Sequence, residues 1–561
     1  MATLRLARAG MPAPAVEAMA AVALAAALAL PASLAALWGP PEAAWTVVGA
    51  GALSFGLAAL WAWRRPLPAV GAFFLWTAMQ RVTAALVAPH AEAESVQALL
   101  AYKDAMYLAL LAAGVAAVVR RLVAGERQPV LWTDGLALAF MALVGAHFLL
   151  SDASLDDRLT YLRRWWAPCL LYLAGRLLWA SRPSWRQGVM AFVAVMAAVA
   201  AFGLVERFLL PPSFWTGAVN AVALYERLVE AGAIPRSWLF VYRGMPDGVL
   251  VSLPQEVPVR RLVSTFVEPT TLAFSLALAS LLAAAATLTA RNGARWAWGT
   301  VAGVCVAALA FTFGRGGMLA ALVGLAALGL ASAGLAWRGG PGGRRPLSLG
   351  RPAAVLGPLA LVLAAGIVVS TRATVPARGD VQDFLLWSSN MPPPQVAAAP
   401  LPAPEAGPPP PAFDHPPGSA AEGAERHLGG LREGLESAFR HPLGLGLGQA
   451  GVLTEAPEVG GESTIGALAA QLGLPGLILW PLFSLAVAAG LGLAAAREAE
   501  GLGRAWLLAL ATAHLGLLVA AWFTESASGV TGVAPYYLLA GWGLGTLGAG
   551  AGLALGQRRT A

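Results

Sequence analysis

LVSTFVEPTTLAFSLALASLLAAAATLTA, residues 262–290, carries one ionisable side chain, Glu268, near its start and no other charge to its end. A hydrocarbon layer takes about 20 consecutive apolar residues to cross, and this stretch supplies them. Working outward, runs of the same kind recur along nearly the whole chain. On the N-terminal side they lie near 15–37, 44–63, 67–88, 98–119, 131–150, 166–181 and 187–206. On the C-terminal side they lie near 296–313, 316–337, 352–370, 464–490, 505–524 and 530–556. Of the 561 residues, 58% are hydrophobic and only 12% charged. A soluble globular chain of this size cannot hide that much apolar surface, so the sequence reads as an all-α polytopic membrane protein.

The net charge of +7 would suggest nucleic acid in a soluble protein. Here the arginines cluster in short segments between apolar runs, where they act as topology signals. If Arg5 and Arg8 are cytoplasmic, alternation puts Arg64, Arg65, Arg120, Arg121, Arg182 and Arg186 on the same side. Arg291, Arg295, Arg338, Arg344, Arg345, Arg497, Arg504, Arg558 and Arg559 follow. The expectation is about 14 transmembrane helices, both termini cytoplasmic, and two long periplasmic loops. MATLRLARAG then opens an uncleaved first helix rather than a removed signal peptide. Nucleic acid is not an expected partner; membrane lipids are.

The chain divides into 1–206, N-terminal transmembrane helices; 207–260, the first outward loop; and 261–370, central transmembrane helices. A large outward loop, 371–463, and C-terminal transmembrane helices, 464–561, complete it. The large loop holds the proline-rich tract MPPPQVAAAPLPAPEAGPPPP, an extended or disordered composition. Behind it, Ser419 and Glu422 have the S-x-x-E spacing of a capping box. Leu428, Leu431, Leu435 and Phe439 share one face of the helix that follows, and Pro442 ends it.

Lys103 is the only lysine, so arginine abundance follows coding bias and does not by itself mark a phosphate site. Cys169 and Cys305 fall in apolar runs and read as small core residues. No spacing of His, Cys, Asp or Glu suits a metal, so neither metal nor cofactor is expected. Arg81, Lys103, Asp104, His147, Glu206, Arg207, Arg315, Glu462 and Glu525 all map to the outward ends of helices. Charges inside spans are costly and default to functional hypotheses, and this one-sided gathering suggests an outward-facing polar cavity. Asp134 stands alone at the inner end without a role, and His514 reads as a packed core histidine.

Three short motifs lie at outward helix ends: RLVSTFVEPTT (261–271), TFGRGG (312–317) and HPLGLGLG (441–448). The last is followed by Glu462-Ser463 and, nine residues on, by Gly473-Leu474-Pro475-Gly476. In this order the set resembles the O-antigen ligase and O-antigen polymerase superfamily over residues 255–480. These are bacterial membrane glycosyltransferases that take glycans from undecaprenyl diphosphate at the periplasmic face of the inner membrane. The ligase pattern places a histidine nine residues and one polar residue ahead of G-x-x-G; here Glu462 stands in its place, with Ser463, Gly473 and Gly476 kept. A carboxylate there looks more like the polymerase side of the superfamily, which joins repeat units of a surface polysaccharide, or like a ligase-type enzyme that uses a different base.

The resemblance implies metal-independent, inverting glycan transfer. Arg315 would steady the diphosphate leaving group, and Glu462 would take the proton of the attacking sugar hydroxyl. Arg261, Arg432, Ser463 and Glu268 complete the expected substrate-binding set. The implied partners are an undecaprenyl-diphosphate-linked glycan donor, a glycan or lipid acceptor, and polysaccharide-assembly proteins. A transporter or flippase is the rival class, although no internal repeat or midplane charge pair supports it. A structural partner in an envelope complex is a third.

Overall fold

The computed structural model describes residues 66–125, 130–178, 182–211, 214–231, 250–253, 257–337, 350–371, 420–451, 463–499, 501–524 and 530–559. The expected spans near 15–37 and 44–63, the proline-rich tract, Glu462 and Glu525 lie outside these residues. In chain order the helices are α1 (Pro66–Val87), α2 (Ala93–Val123), α3 (Trp132–Leu150), α4 (Leu155–Leu177) and α5 (Arg182–Leu209). A short α6 (Ala221–Glu230) and an antiparallel ribbon, β1 (Leu250–Leu253) with β2 (Val257–Arg260), follow. Then come α7 (Pro269–Thr289), α8 (Asn292–Phe311), α9 (Arg315–Trp337) and α10 (Gly350–Thr371). The series closes with α11 (Ala420–Arg440), α12 (Thr464–Arg497), α13 (Gly501–Ala521) and α14 (Val530–Arg559). Among the described residues, 10 helices are long and apolar enough to cross a membrane. The protein is a polytopic, helical membrane protein.

The quoted stretch becomes α7, which is buried on every side along nearly its whole length. A helix apolar all round belongs in the middle of a bundle, and α8, α9, α13, α14 and α5 surround it. Its start differs from the expected 262. Pro269 occupies the first helical turn, and the residues before it form a single 3₁₀ turn, Ser264–Phe266. Proline lacks the amide that an upstream helical turn would need and pushes the preceding residue, Glu268, into extended backbone (φ −146°, ψ 116°).

Apolar packing between membrane helices gains nothing from expelling water, so close backbone approach has to hold them. The α4–α14 contact is the most extensive in the bundle and depends on this. A Cβ at Gly541 would collide with the Tyr172 carbonyl, and one at Gly175 with the Leu538 carbonyl.

The third motif folds as one piece with the helix it precedes. Gly473 interrupts α12 with φ 63° and ψ −157°. The 441–451 loop closes the gap: Leu445 N–H donates to the Ala470 carbonyl at 2.8 Å and Leu474 N–H to the Pro442 carbonyl at 2.9 Å. Gln471 is buried there, accepting from Trp165 Nε1 at 3.1 Å and donating to the Ala450 carbonyl. A Cβ on Gly444 or Gly473 would strike the other's backbone, which couples HPLGLGLG to GLPG sterically.

Two further expectations change. The face of α11 that packs on α12 is Gly430, Gly434, Ser437 and Ala438, whereas Leu428 and Phe439 are exposed. Glycines allow the approach: a Cβ on Gly434 would meet Gly466, and one on Gly466 would meet Gly430. Asp134, left without a role by the sequence, is the partner of buried Arg176 at 3.4 Å and accepts from Tyr172 O–H at 2.8 Å. His514 packs edge-on to the rings of Tyr536 and Tyr537.

Gly541→Leu should force α14 off α4 and lower the melting temperature of the detergent-solubilised protein, since overpacking costs about 1–3 kcal/mol. Gly334→Ala, in open space on α9, should leave it unchanged or slightly raised. Equal melting temperatures for all three proteins would mean that the α4–α14 approach is not tight.

Candidate functional site

One end of the bundle gathers all three motifs. The first is fixed to the second by main chain: Leu262 N–H donates to the Phe311 carbonyl at 2.9 Å, and Arg261 Nε–H to the Thr312 carbonyl at 2.6 Å. The half-buried Arg261 is thus carried on the turn that leads into Arg315. That turn is tight. Phe313 has φ 52°, and the Gly314 amide donates to Thr312 Oγ1 at 3.0 Å.

Arg315 is the first residue of α9 and is also half-buried. The glycines after it have a steric reason. A Cβ on Gly317 would lie 2.7 Å from the Ala273 carbonyl carbon, and one on Gly316 would lie 2.6 Å from Thr524 Cγ2. Any side chain at these positions would lift Arg315 away from α7. Thr524 in turn ties in the start of α12, because its carbonyl accepts from Thr464 Oγ1 at 2.7 Å and Thr464 N–H at 3.3 Å.

Ser463, next to Glu462 in the chain, is 1% exposed and fully engaged. Its hydroxyl donates to the Trp522 carbonyl at 3.0 Å and accepts from the Gly466 amide at 3.0 Å as the N-cap of α12. It holds the start of α12 in place. Arg432, on the helix that packs against the start of α12, is exposed and ion-paired along its own helix with Glu436 at 2.8 Å.

Glu268 is the anionic centre of this end. Arg81 of α1 contacts its Oε2 at 2.7 Å, and Thr270 Oγ1–H donates to Oε1 at 2.8 Å. Burial alone would raise the carboxyl's pKa. Arg81, the hydroxyls of Thr271 and Thr270, and Arg261 together outweigh it and hold the group below its usual 4.5. Gln80, beside Arg81, donates to Thr531 Oγ1 at 3.3 Å, which brings in α14.

Glu206 escaped the sequence reading as anything beyond an end charge. Fully buried, it accepts from Trp215 Nε1 at 2.7 Å and from the Ser264 amide at 3.4 Å. Ser264 (φ 47°) and Val267 (φ 54°) both occupy the left-handed region that non-glycine residues seldom adopt. Glu206, with Val199 accepting Ser264 Oγ–H at 2.7 Å, holds this strained link and so sets the angle of Glu268. Pairing across 58 residues leaves no local signal, so only the lone carboxylate in a span could have hinted at it.

The starts of α7, α9, α12 and α14 come together here, so their positive dipole ends join Arg81 and Arg261 beside Glu268 and Arg315 on the adjoining turn. Such an arrangement favours an anion, above all an oxyanion with several oxygens. No protein-family model matches this chain, and no curated protein matches it.

Because the folded Glu268 pKa is depressed, its stabilising effect is complete above the unfolded carboxyl's pKa. It is lost only as pH falls through the lower folded value. Wild type should therefore melt several degrees above Glu268→Gln at pH 7 and at pH 5. The gap should close as the solution is acidified below about 4.5. An undiminished gap at the most acidic pH would show that charge on Glu268 is not its source.

Proposed function

We propose that this protein transfers a glycan from undecaprenyl diphosphate to an acceptor at the outer face of a bacterial cytoplasmic membrane, most directly as a polymerase of lipid-linked repeat units. The observation that carries the reading is the meeting of the Arg261 and Arg315 turns with the start of α12, the helix that follows Glu462. Breaking the donor's glycosidic bond leaves negative charge on diphosphate oxygens. Arg315 and the helix starts beside it are placed to receive that charge, and Arg261 lies on the same turn. The acceptor hydroxyl must lose a proton as it attacks, and Glu462 is assigned as the base. Arg81 holds Glu268, which orders the cationic wall.

The topology belongs to the same proposal. The opposite end of the bundle carries Arg186 paired with Glu498 at 3.5 Å and Arg504 donating to the Glu498 carbonyl at 2.9 Å. With Arg291, Arg295 and Arg497 it forms the basic side assigned to the cytoplasm. The charged motif end then faces the periplasm, with about 14 spans, both termini inside, and the large loop outside. Transfer to a lipid or protein acceptor, as in a ligase, uses the same donor chemistry and differs only in what occupies the acceptor side.

One feature favours transport as a second reading: α12 is broken at Gly473, and transporters bind substrate at broken helices. In this chain the break is closed by the 441–451 loop, so its freed backbone groups serve structure instead.

In the native host, deletion should make single repeats accumulate on undecaprenyl diphosphate, as read by gel analysis of extracted lipid-linked glycans. Wild type should restore long chains. Glu462→Gln and Arg315→Gln should restore roughly a hundredth or less, the usual cost of a lost base or charge-stabilising donor. Long lipid-linked chains that never leave their carrier would mean a ligase. Full rescue by both variants would sink the assignment.

A further inference from the structure

Across Glu268 from Arg261, three more cations converge from three helices: Arg81 on α1, Lys103 on α2 and Arg163 on α4. Lys103 is buried, donates to the Leu100 carbonyl at 2.8 Å, and lies close enough to both arginines and to Asp104 to feel their charges. Asp104 sets one oxygen, Oδ2, 3.4 Å from Arg163 Nη1. Its other oxygen, Oδ1, is buried without a hydrogen-bond partner among the described residues. Glu206 has both oxygens hydrogen-bonded, and Glu268 Oε2, though without a hydrogen bond among the described residues, lies 2.7 Å from the Arg81 guanidinium.

The α1–α2 contact, on the Tyr102 side of Lys103, is short of partners in the same way. Trp76 Nε1, Thr77 Oγ1 and Gln80 Oε1 on α1, and Ser95 Oγ on α2, are buried with no hydrogen bond among the described residues. The rings of Trp76 and Tyr102 meet edge to face at 5.5 Å, so these parts of α1 and α2 do face each other. An unsatisfied buried polar atom costs about 1–3 kcal/mol, and native proteins keep few of them. Several of them lie along the seam of these two facing helices, where a polar ligand would satisfy them.

The chemistry of the seam selects the ligand. An inorganic oxyanion would satisfy the cations but set negative charge against Asp104 Oδ1. A sugar brings both kinds of group: O–H donors for Asp104 and Gln80, and oxygen acceptors for Lys103 and Trp76 Nε1. The only lysine in the chain also sits here, and its compact ammonium directs three separate donors where arginine offers a planar fork.

We propose that the α1–α2–α4 seam around Lys103 and Asp104 is a sugar-binding subsite that receives the acceptor glycan. Asp104 Oδ1 accepts a hydrogen bond from a sugar hydroxyl, and the seam lies across Glu268 from the arginines assigned to the diphosphate. The assignment of that sugar as acceptor rests on the transfer reading above.

The test uses full-length protein in nanodiscs and two probes: host glycan released from its lipid by mild acid, and glycan-free undecaprenyl diphosphate. Wild type should bind both. Asp104→Asn should weaken glycan binding roughly tenfold or more, the effect of losing a charged hydrogen bond, and leave undecaprenyl diphosphate binding intact. Thr77→Val, a near-isosteric change, should weaken glycan binding by a smaller factor. Arg315→Gln should do the reverse, losing the diphosphate and keeping the glycan. Glycan binding unchanged in both seam variants, or diphosphate lost together with glycan in Asp104→Asn, would overturn the subsite and leave the donor reading standing. Wild-type binding of undecaprenyl diphosphate without glycan would likewise overturn only the subsite, and binding of neither probe would overturn both.

Discussion

A helix buried from end to end cannot leave its first turn unsatisfied, and α7 is such a helix. Pro269 removes the first of its leading amides, and the rest, with the link before it, have to be held by other parts of the protein, because a hydrocarbon surround offers no water. Glu268, extended just ahead of Pro269 and gripped by Arg81 and Thr270, fixes the position of that end without capping its amides. The grip reaches outward in two directions. Through Arg81 it fixes α1, and with it Gln80 and the start of α14. Through the strained Ser264–Val267 link it depends on Glu206, and so on α5. The anion-favouring end of the bundle follows from the need to terminate a buried apolar helix with charge.

The same constraint explains the glycines. Where the chain departs from helix within the bundle, as at Gly473, another segment must supply the lost hydrogen bonds at backbone distance. HPLGLGLG does this for α12, and TFGRGG brings α9 within backbone reach of α7. Glycine is required at these contacts by the absence of room for a Cβ. Sequence order then has a physical meaning: each motif is one half of a contact whose other half lies elsewhere in the chain.

Apolar run length made the helices legible, because bilayer thickness is a strong and local constraint; α7, α8, α9 and α13 lie where hydropathy puts them. Pro269 carried a readable signal that the helix begins after residue 268, but the apolar residues 262–267 masked it. Charge near helix ends was legible as a one-sided gathering, and Arg81, Lys103, Asp104, Glu206 and Glu268 do lie at one end of the bundle. Their partners were not legible. Arg81 with Glu268, or Glu206 with Ser264, pair across long separations that no local pattern encodes. The packing face of α11 misled for a related reason: leucine periodicity signals an apolar face, whereas closeness of approach is set by Gly430 and Gly434. Ser463 looked like a substrate contact because of its neighbour in the chain, yet its hydroxyl is used to cap and anchor α12.

The central claim is that the charged end of the bundle stabilises a departing lipid diphosphate with arginine. The most direct measurement is release of undecaprenyl diphosphate from host lipid-linked glycan by purified protein in proteoliposomes, with a divalent-metal chelator present. The account predicts release in step with glycan elongation, unaffected by the chelator and lost in Arg315→Gln. Release that stops when the chelator is added, or a lipid-linked pool that stays intact while a solute crosses the bilayer, would contradict it.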